Sequence, residues 1–350
     1  MGAPILLRDI TPVTVVVGGF FGDEGKGKIV GYLGLKDRPS AAVRTGSINA
    51  GHTVSFDGRV WKLRVVPSAF LCSACRLYVP AGALISIPVF LNEVLETGCS
   101  GRIFLDYNAG IITEEHVARE RSDELMKQIG STKQGVGAAN SDRIMRRLKL
   151  AKDYEELRSY LRDVALEVNE FVDKGEHVLI EGTQGFYLSL YFGTYPYVTS
   201  RDTSASGVLS EVGVGPKKVD EVLVVFKSYV TRVGEGPLPN ELSPEDVERF
   251  GFVERASVTG RVRRAAPFNL ELARKSVVIN SATQVALTKV DVLFKNIQHV
   301  KEWGKLPYNV RKWIEDVENV LKVPITLIGT GEDVMAVIDR REEVLGSLKR

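Results

Sequence analysis

The sequence has 350 residues, of which 44% are hydrophobic and 26% are charged, as is typical of a globular protein with one large or two ordinary domains. Its 46 Lys and Arg residues against 44 Asp and Glu residues give a net charge of +2, which argues against a dedicated nucleic-acid-binding protein. No apolar run approaches the roughly 18 residues of a membrane span. Arg8 and Asp9 follow a short apolar run at the N-terminus, which is not the pattern of a signal peptide. The small number of cysteines favours a cytoplasmic location.

The first predicted elements are a strand, a glycine-rich loop and a helix. The apolar run Val13–Val17 indicates a buried strand, the loop 18–28 contains five glycines, and an apolar segment compatible with a helix begins at Ile29. This order directs backbone N–H groups and a helix N-terminus at a phosphate. We therefore predict a phosphate-binding loop. A glycine-rich connection with solvated charges is the alternative.

This loop departs from the Walker pattern, in which Gly-Lys is followed by Ser or Thr. Here Gly25-Lys26 is followed by Gly27, so the hydroxyl that normally binds Mg²⁺ is missing. Asp23 and Glu24 lie inside the loop instead. Because a carboxylate repels phosphates unless a cation lies between them, the loop suggests a built-in metal ligand or a base.

Strand-like and helix-like segments alternate along the rest of the chain. We predict helices at Ile87–Leu95 and Thr113–Ile129, and a further helix from about Ser141 to Gly175, in which apolar residues recur every three or four positions. The predicted strands are 42–44, 103–105, 177–181, 221–229, 277–279, 285–294 and 324–328, the last being followed by an amphipathic helix.

This alternation, with apolar strands, predicts an α/β fold with a large, mostly parallel, twisted sheet and helices on both faces. We see no clear linker and expect a single domain over residues 1–350. In such sheets ligands bind beyond the carboxyl ends of the strands. The loop 45–53 with His52, the loop 130–137 and the arginine-rich segment 259–264 can therefore share one site.

The segment Thr288-Lys-Val-Asp291 follows an apolar strand. A carboxylate can accept hydrogen bonds from N1–H and the exocyclic amine of guanine, whereas adenine lacks that pair of donors. A lysine stem can lie along the base. A four-residue motif is weak evidence alone, but together with the phosphate loop it favours GTP over ATP as the nucleotide.

Several motifs together resemble the adenylosuccinate synthetase family, which joins IMP and L-aspartate with GTP. They occur in that family's order and span nearly the whole chain: 22–28, Asn49-Ala-Gly-His-Thr53, Glu181-Gly-Thr-Gln-Gly185, 192–199, Thr231-Arg-Val-Gly234, Thr259-Gly-Arg261 and 287–291. The resemblance implies a P-loop-NTPase-like sheet with peripheral loop and helical subdomains, and a carbon–nitrogen ligase that releases GDP and phosphate in AMP synthesis.

The resemblance also implies residue roles. Asp23 would be the general base on N1 of IMP and, with the Gly51 carbonyl, a ligand of Mg²⁺. His52, Lys26 and Gln184 would complete the catalytic set, with a 6-phosphoryl-IMP intermediate. The GTP-binding set would be Gly22, Glu24, Gly25, Lys26, Gly27, Lys28, Arg263, Lys289, Asp291, Gly329 and Gly331. The IMP-binding set would be Asn49, Thr132, Arg146, Gln184, Thr199, Val233 and Arg261. Aspartate would meet Thr259, Gly260, Arg261 and Arg263.

Arg146 would reach the IMP phosphate of a neighbouring subunit, so the resemblance implies a homodimer. The chain departs from the family at Phe21, where tryptophan is usual, at Lys133-Gln134 in place of Gly-Arg, and at Val258 in place of threonine. It is also shorter than most members. The alternatives are a GTP-binding switch and a GTP-dependent ligase or kinase with another acceptor. The Arg cluster and the hydroxyl-rich segment 194–206 argue against a switch, which needs no second pocket.

Overall fold

The computed structural model describes residues 13–255, 260 and 262–348. The strands are β1 (Val13–Gly18), β2 (Ala41–Arg44), β3 (His52–Phe56), β4 (Arg59–Leu63), β5 (Arg76–Val79), β6 (Leu84–Ile85), β7 (Ile103–Asp106), β8 (Gly110–Ile111), β9 (Leu161–Arg162), β10 (Val178–Glu181), β11 (Glu221–Lys227), β12 (Tyr229–Arg232), β13 (Arg264–Pro267), β14 (Gln284–Thr288), β15 (Ile325–Gly329) and β16 (Val337–Asp339). The α-helices are α1 (Lys26–Asp37), α2 (Ile87–Thr97), α3 (Glu114–Ser122), α4 (Glu124–Gln128), α5 (Val136–Ile144), α6 (Val164–Asp173), α7 (Ala205–Val212), α8 (Pro244–Phe250), α9 (Leu270–Asn280), α10 (Val290–Leu293), α11 (Tyr308–Leu321) and α12 (Arg341–Leu348).

Ten strands form the main sheet in the order β16-β15-β14-β11-β1-β10-β2-β5-β7-β9. All neighbouring pairs are parallel except β15 and β16. The predicted α/β class and the mostly parallel sheet are therefore confirmed. Strand β1 lies between β10 and β11, so the loops after these three strands emerge side by side.

Side chains of the sheet alternate between two apolar clusters, one on each face. In β1, Val15 and Val17 belong to one cluster and Val16 to the other. Helices α1, α2 and α5 cover the Val16 face, and α6, α7, α9 and α11 cover the opposite face. Burial on both faces explains why the central strands contain almost no polar residue.

Two predicted helices are corrected by the structure. The helix predicted for Thr113–Ile129 is interrupted at Asp123, whose extended backbone ends α3 and whose side chain caps α4 by accepting from the Met126 amide. The long helix predicted from Ser141 to Gly175 is instead α5, two short 3₁₀ turns, strand β9 and α6. Asp163 caps α6 and marks its true beginning.

Three predicted strands also need correction. Residues 277–279 lie within α9, whose N-cap is Asn269. The strand predicted for 285–294 ends at Thr288 and continues as the short helix α10. The strand predicted for 221–229 divides into β11 and β12, which lie in different sheets. Strand β15 is followed by β16 before the last helix, so it is not the final strand.

Within the described part of the chain, no helix has the length and apolar character needed to cross a bilayer. Peripheral elements surround the sheet: the β3–β4 hairpin, the two-stranded sheet β12–β13, and the helical segment α3–α5. Asp142 in α5 joins the α3–α5 segment through an ion pair with Arg119 and a hydrogen bond with the His116 ring, both in α3.

Candidate functional site

The phosphate loop lies at the carboxyl end of β1 and leads into α1. Gly25, at φ 87°, is the N-cap of α1. Asp23 also has a positive φ of 59°, a conformation that non-glycine residues adopt mainly where the surroundings impose it. The Thr288 hydroxyl donates to the Glu24 carbonyl at 2.6 Å, which ties this loop to the end of β14.

The two acids of the loop have different surroundings. Glu24 is buried and accepts from the amides of Phe20 and Gly22 and from Lys26 Nζ at 2.7 Å. Asp23 is partly exposed and pairs with Arg263 at 2.8 Å. Burial raises the pKa of Asp23 above its ordinary value, although Arg263 and Lys227 oppose the rise. Glu24 is thus a structural partner of Lys26, whereas Asp23 faces the site.

Beside this loop lies a cavity of about 320 Å³. Ten of the predicted site residues line it: Gly22, Asp23, Lys26, Asn49, Gly51, His52, Thr132, Gln184, Thr199 and Val233. Three of the lining side chains carry a buried polar atom without a partner among the described residues: Asn49 Oδ1, His52 Nε2 and Gln184 Oε1. Unpaired buried polar atoms around one cavity indicate a polar ligand.

His52 is held by a buried carboxylate. Its Nδ1 lies 2.5 Å from Glu181 Oε1, and Glu181 also accepts from Arg44 and Ser68. Burial alone raises the pKa of Glu181, but Arg44 and His52 outweigh it and hold that pKa at about 2. Burial, with help from Arg44, lowers the pKa of His52 to about 3. The ring is therefore neutral, with its proton on Nδ1 and Nε2 free toward the cavity.

The aromatic and hydroxyl-rich loop after β10 forms another wall. Arg232, 1% exposed, donates to Thr194 Oγ1 and to the Tyr197 and Pro237 carbonyls. Its guanidinium lies 4.6 Å from the centre of the Phe21 ring. Phe21 therefore remains an aromatic wall residue at the position where the resemblance implies tryptophan.

A second group of predicted residues lies at the ends of β14 and β15, outside the lining of this cavity. Lys289 has φ 57°, and Asp291 Oδ1 is buried without a partner among the described residues. Lys28 extends from α1 to this region, where its Nζ donates to the Asp333 carbonyl. Burial lowers the pKa of Lys28 to about 8, with Asp333 opposing the shift. A Cβ on Gly331 would lie 3.2 Å from the His299 ring.

Other predicted residues lie elsewhere. Arg146 is exposed at the end of α5 and is not part of the cavity lining. Gly260 is exposed, and Thr259 and Arg261 lie outside the described residues. Sequence reasoning assigned no role to Arg44, Ser68 or Glu181, although Glu181 stands at the carboxyl end of a buried strand, which is a usable signal.

Comparison with known proteins agrees with this geometry. The family model described as adenylosuccinate synthetase matches residues 15–154 and 147–295. The chain belongs to the adenylosuccinate synthetase family. Members of this family are ligases of purine biosynthesis that join IMP and aspartate with GTP. The predicted family, fold class and enzyme class are thereby confirmed.

Two relatives illustrate the extent of the match. The adenylosuccinate synthetase of Archaeoglobus fulgidus is 50% identical over 334 residues, covering 95% of this chain and 99% of the relative. That of Methanocaldococcus jannaschii is 49% identical over 336 residues, covering 95% and 97%. The chain therefore matches these synthetases over almost their full length.

Solved structures show the same fold. A fully ligated adenylosuccinate synthetase from Plasmodium falciparum has a TM-score of 0.86 at 26% identity, with 94% of this chain and 99% of that chain covered. A succinoaminodeoxyadenylate synthetase of cyanophage S-2L, bound to dGMP and dATP, has a TM-score of 0.81 at 24% identity, with 97% and 99% covered.

Proposed function

We propose that this chain forms adenylosuccinate from IMP, L-aspartate and GTP in two steps through 6-phosphoryl-IMP. IMP occupies the cavity with its base toward Asp23 and Gln184 and its phosphate toward Asn49, Thr132 and Thr199. GTP places its phosphates on the loop 22–28 and its guanine near Lys289, Asp291, Gly329 and Gly331. The observation that supports this most strongly is the cavity beside the phosphate loop, whose lining includes unpaired polar atoms of Asn49, His52 and Gln184.

In the first step Asp23 accepts the N1 proton of IMP, and O6 attacks the γ-phosphorus of GTP, which breaks the bond to the β–γ bridging oxygen and releases GDP. Burial supports this role, because it raises the pKa of Asp23 toward the range of an effective base. Lys26 and the loop amides bind the phosphates. Gln184 contacts the purine O6. In the second step the aspartate amine displaces phosphate from C6.

His52 acts on the transferring phosphoryl group. In the absence of phosphates its Nε2 is buried and unpaired among the described residues. Phosphates next to Nε2 add negative charge and favour the imidazolium form. The Nε2–H group then donates to the transferring group, while Glu181 holds the ring from the other side.

Asp23 and the Gly51 carbonyl supply oxygen ligands that suit Mg²⁺, and both line the cavity. No cluster of three His, Cys, Asp or Glu side chains that could hold a metal occurs in the described residues. These two oxygens fit an ion that phosphates and water complete, as is common for Mg²⁺. When bound, Mg²⁺ neutralises developing charge on the phosphates.

We assign aspartate to the region of Gly260 and Arg263, together with Thr259 and Arg261. We expect a homodimer in which Arg146 reaches the partner's IMP. Its support is the exposed segment around Arg146, in which the Ile144 side chain is 75% exposed and that of Met145 is 55% exposed. We expect a cytoplasmic location, since Cys72, Cys75 and Cys99 are all buried free thiols.

A coupled assay tests the function. Purified protein is incubated with GTP, Mg²⁺, IMP and aspartate, and adenylosuccinate is followed by ultraviolet absorbance while GDP is measured separately. GDP release should require IMP, and equal release without IMP would contradict the proposal. Asp23→Ala should abolish turnover; substantial remaining activity would remove Asp23 as the base.

A separate measurement tests the intermediate. GTP that carries heavy oxygen in its β–γ bridge is incubated with IMP in the absence of aspartate. Reversible formation of 6-phosphoryl-IMP scrambles the label into the non-bridging β positions. Scrambling that needs IMP supports the two-step route, whereas scrambling only after aspartate is added favours a concerted reaction.

A further inference from the structure

Four charged side chains of alternating sign run from the end of β11 to the phosphate loop. Lys227 Nζ lies 2.8 Å from Glu254 Oε2, Glu254 contacts Arg263 Nη1, and Arg263 Nη2 lies 2.8 Å from Asp23 Oδ2. The side chains of the first three are 2%, 13% and 8% exposed, respectively. Neither Lys227 nor Glu254 belongs to the residues assigned above.

Glu254 has two further donors besides Arg263. It accepts from Lys227 Nζ and from the Tyr229 hydroxyl, and Lys227 in turn donates to Thr231 Oγ1 at 2.5 Å. Burial alone raises the pKa of Glu254, but Lys227 and Arg263 outweigh it and hold that pKa at about 2. Because three donors from two strands and a loop converge on it, this carboxylate is a rigid anchor.

Two contacts determine the orientation of the Arg263 guanidinium. Its Nη1 contacts Glu254 and its Nη2 contacts Asp23. The remaining Nε–H is buried and has no partner in the described part of the chain. Since the guanidinium is planar, fixing Nη1 and Nη2 also determines where the Nε–H points.

The backbone supports the same arrangement. The Arg263 amide donates to the Glu254 carbonyl at 3.0 Å, and Arg255 and Val262 form an antiparallel bridge. Glu254 and Arg263 are therefore neighbours by main chain as well as by side chain. The neighbouring Arg264 pairs with Glu241, away from Asp23, in an ion pair that is about one-third exposed on each side.

We propose that Glu254, anchored by Lys227 and Tyr229, is a positioning residue that holds the Arg263 guanidinium against Asp23 and leaves its Nε–H for an anionic co-substrate. Building on the proposed function, this co-substrate is the dicarboxylic amino acid. Glu254 does not touch substrate. It acts through Arg263, and it places that cation next to the base where the reaction takes place.

Glu254→Gln tests the proposal, and Glu241→Gln is the matched control, because it removes the carboxylate partner of the adjacent arginine. We expect Glu254→Gln to raise KM for aspartate about tenfold or more, as for the loss of one charge-assisted contact. KM for IMP should change less than about twofold, since other loops build that pocket. Glu241→Gln should leave both values unchanged. Equal effects of the two variants would overturn the proposal.

A double-mutant cycle with Arg263→Lys separates positioning from general destabilisation. Lysine lacks the planar fork, so in its presence Glu254→Gln should raise KM for aspartate no further. Additive effects would show that Glu254 does not act through Arg263. Melting temperatures of all variants show whether they fold. If Glu254→Gln does not fold, Tyr229→Phe removes one anchor without removing a charge and should produce the same KM pattern in weaker form.

The outcomes distinguish this proposal from the function on which it rests. An inactive wild-type enzyme in the complete assay contradicts the ligase function. An active wild-type enzyme whose Glu254→Gln and Glu241→Gln variants behave alike contradicts only the positioning role.

Discussion

At the scale of single residues, Asp291 is the proposed determinant of nucleotide choice. Its Oδ1 is buried without a partner among the described residues, and burial raises the pKa of this carboxyl above its ordinary value. An unpaired acceptor held in this way is costly unless a ligand donates to it. In the proposed function, N1–H and the exocyclic amine of guanine are the donors.

We predict that Asp291→Asn shifts the preference from GTP toward XTP, because the amide donates to the xanthine O2. The kcat/KM for GTP should fall about a hundredfold, since a site built for a donor strongly discriminates against the wrong base. Steady-state kinetics with both nucleotides measure the shift, and Asp316→Asn on the surface of α11 is the control. An unchanged preference would remove Asp291 from the guanine site.

The sequence predicted the site residues that lie in motifs, but it did not predict the residues that hold them in place. Asp23, His52 and Gln184 were assigned to one site, and all three line one cavity. The roles of Glu181 and Arg44 were not predicted, because their pairing depends on the register of β10 and β2, which makes residues far apart in the chain neighbours. No local pattern carries that information.

At the scale of elements, the first turn of α1 packs tightly on the beginning of β3. A Cβ on Gly27 would lie 2.8 Å from the Thr53 carbonyl oxygen and 2.9 Å from His52 Cβ. We predict that Gly27→Ala destabilises the protein by about 1–3 kcal/mol, as overpacking does, and lowers kcat by displacing His52.

Thermal melts and steady-state kinetics check this prediction. Gly215→Ala is the control, because Gly215 has φ −68° and no atom within 4 Å of the added Cβ. A Gly27→Ala variant as stable and active as Gly215→Ala would show that the contact between α1 and β3 adjusts freely.

Glu181 joins three elements, β10, β2 and β3, through its contacts with Arg44 and His52. Its pKa is 4.5 in the unfolded chain and about 2 in the folded protein. A lowered folded-state pKa stabilises the protein above the unfolded value, and this stability is lost as the pH falls from 4.5 toward 2.

We therefore predict that Glu181→Gln lowers the melting temperature most at neutral pH, and that its difference from wild type narrows below pH 4.5. Melting curves over a pH series measure the difference, with the exposed Glu248→Gln as control. A difference that stays constant with pH would contradict the ionic role of Glu181.

The errors in element prediction have a common cause. The apolar spacing from Tyr154 to Phe171 runs through 3₁₀ turns, β9 and α6, because a period near three suits both kinds of helix. Residues 277–279 are β-branched, yet they lie in the helix α9, where Val277 is buried and Val278 is exposed. Short apolar runs are ambiguous, and the caps Asp163 and Asn269 were the stronger signals.

At the scale of the whole molecule, the main sheet could be predicted because its strands are apolar on both faces. Its strand order and its single antiparallel edge could not, because they depend on which strands pair. The shortest strands were less predictable still, since β9 at the edge of the main sheet and the separate pair β6 and β8 have two residues each.

If Arg146 completes the partner's site, two inactive variants should restore activity when mixed. Arg146→Ala and Asp23→Ala subunits, mixed equally and allowed to exchange, form mixed dimers with one intact site each. We predict about a quarter of wild-type activity, since half of the dimers are mixed and each has one working site. The recovery is measured by comparing the activity of the mixture with the activity of each variant alone. No recovery after verified exchange would place Arg146 outside the shared site.

The buried pair of Glu24 and Lys26 has a consequence for how nucleotides enter. The loop 22–28 contains two acids and two lysines, and Lys26 is already matched by its own carboxylate. In the proposed function, a phosphate that binds Lys26 therefore replaces the Glu24 carboxylate as its counter-ion instead of releasing mobile ions into solution. We therefore expect nucleotide affinity at this proposed phosphate loop to depend little on ionic strength, because dissolved salt screens buried charges far less than exposed ones.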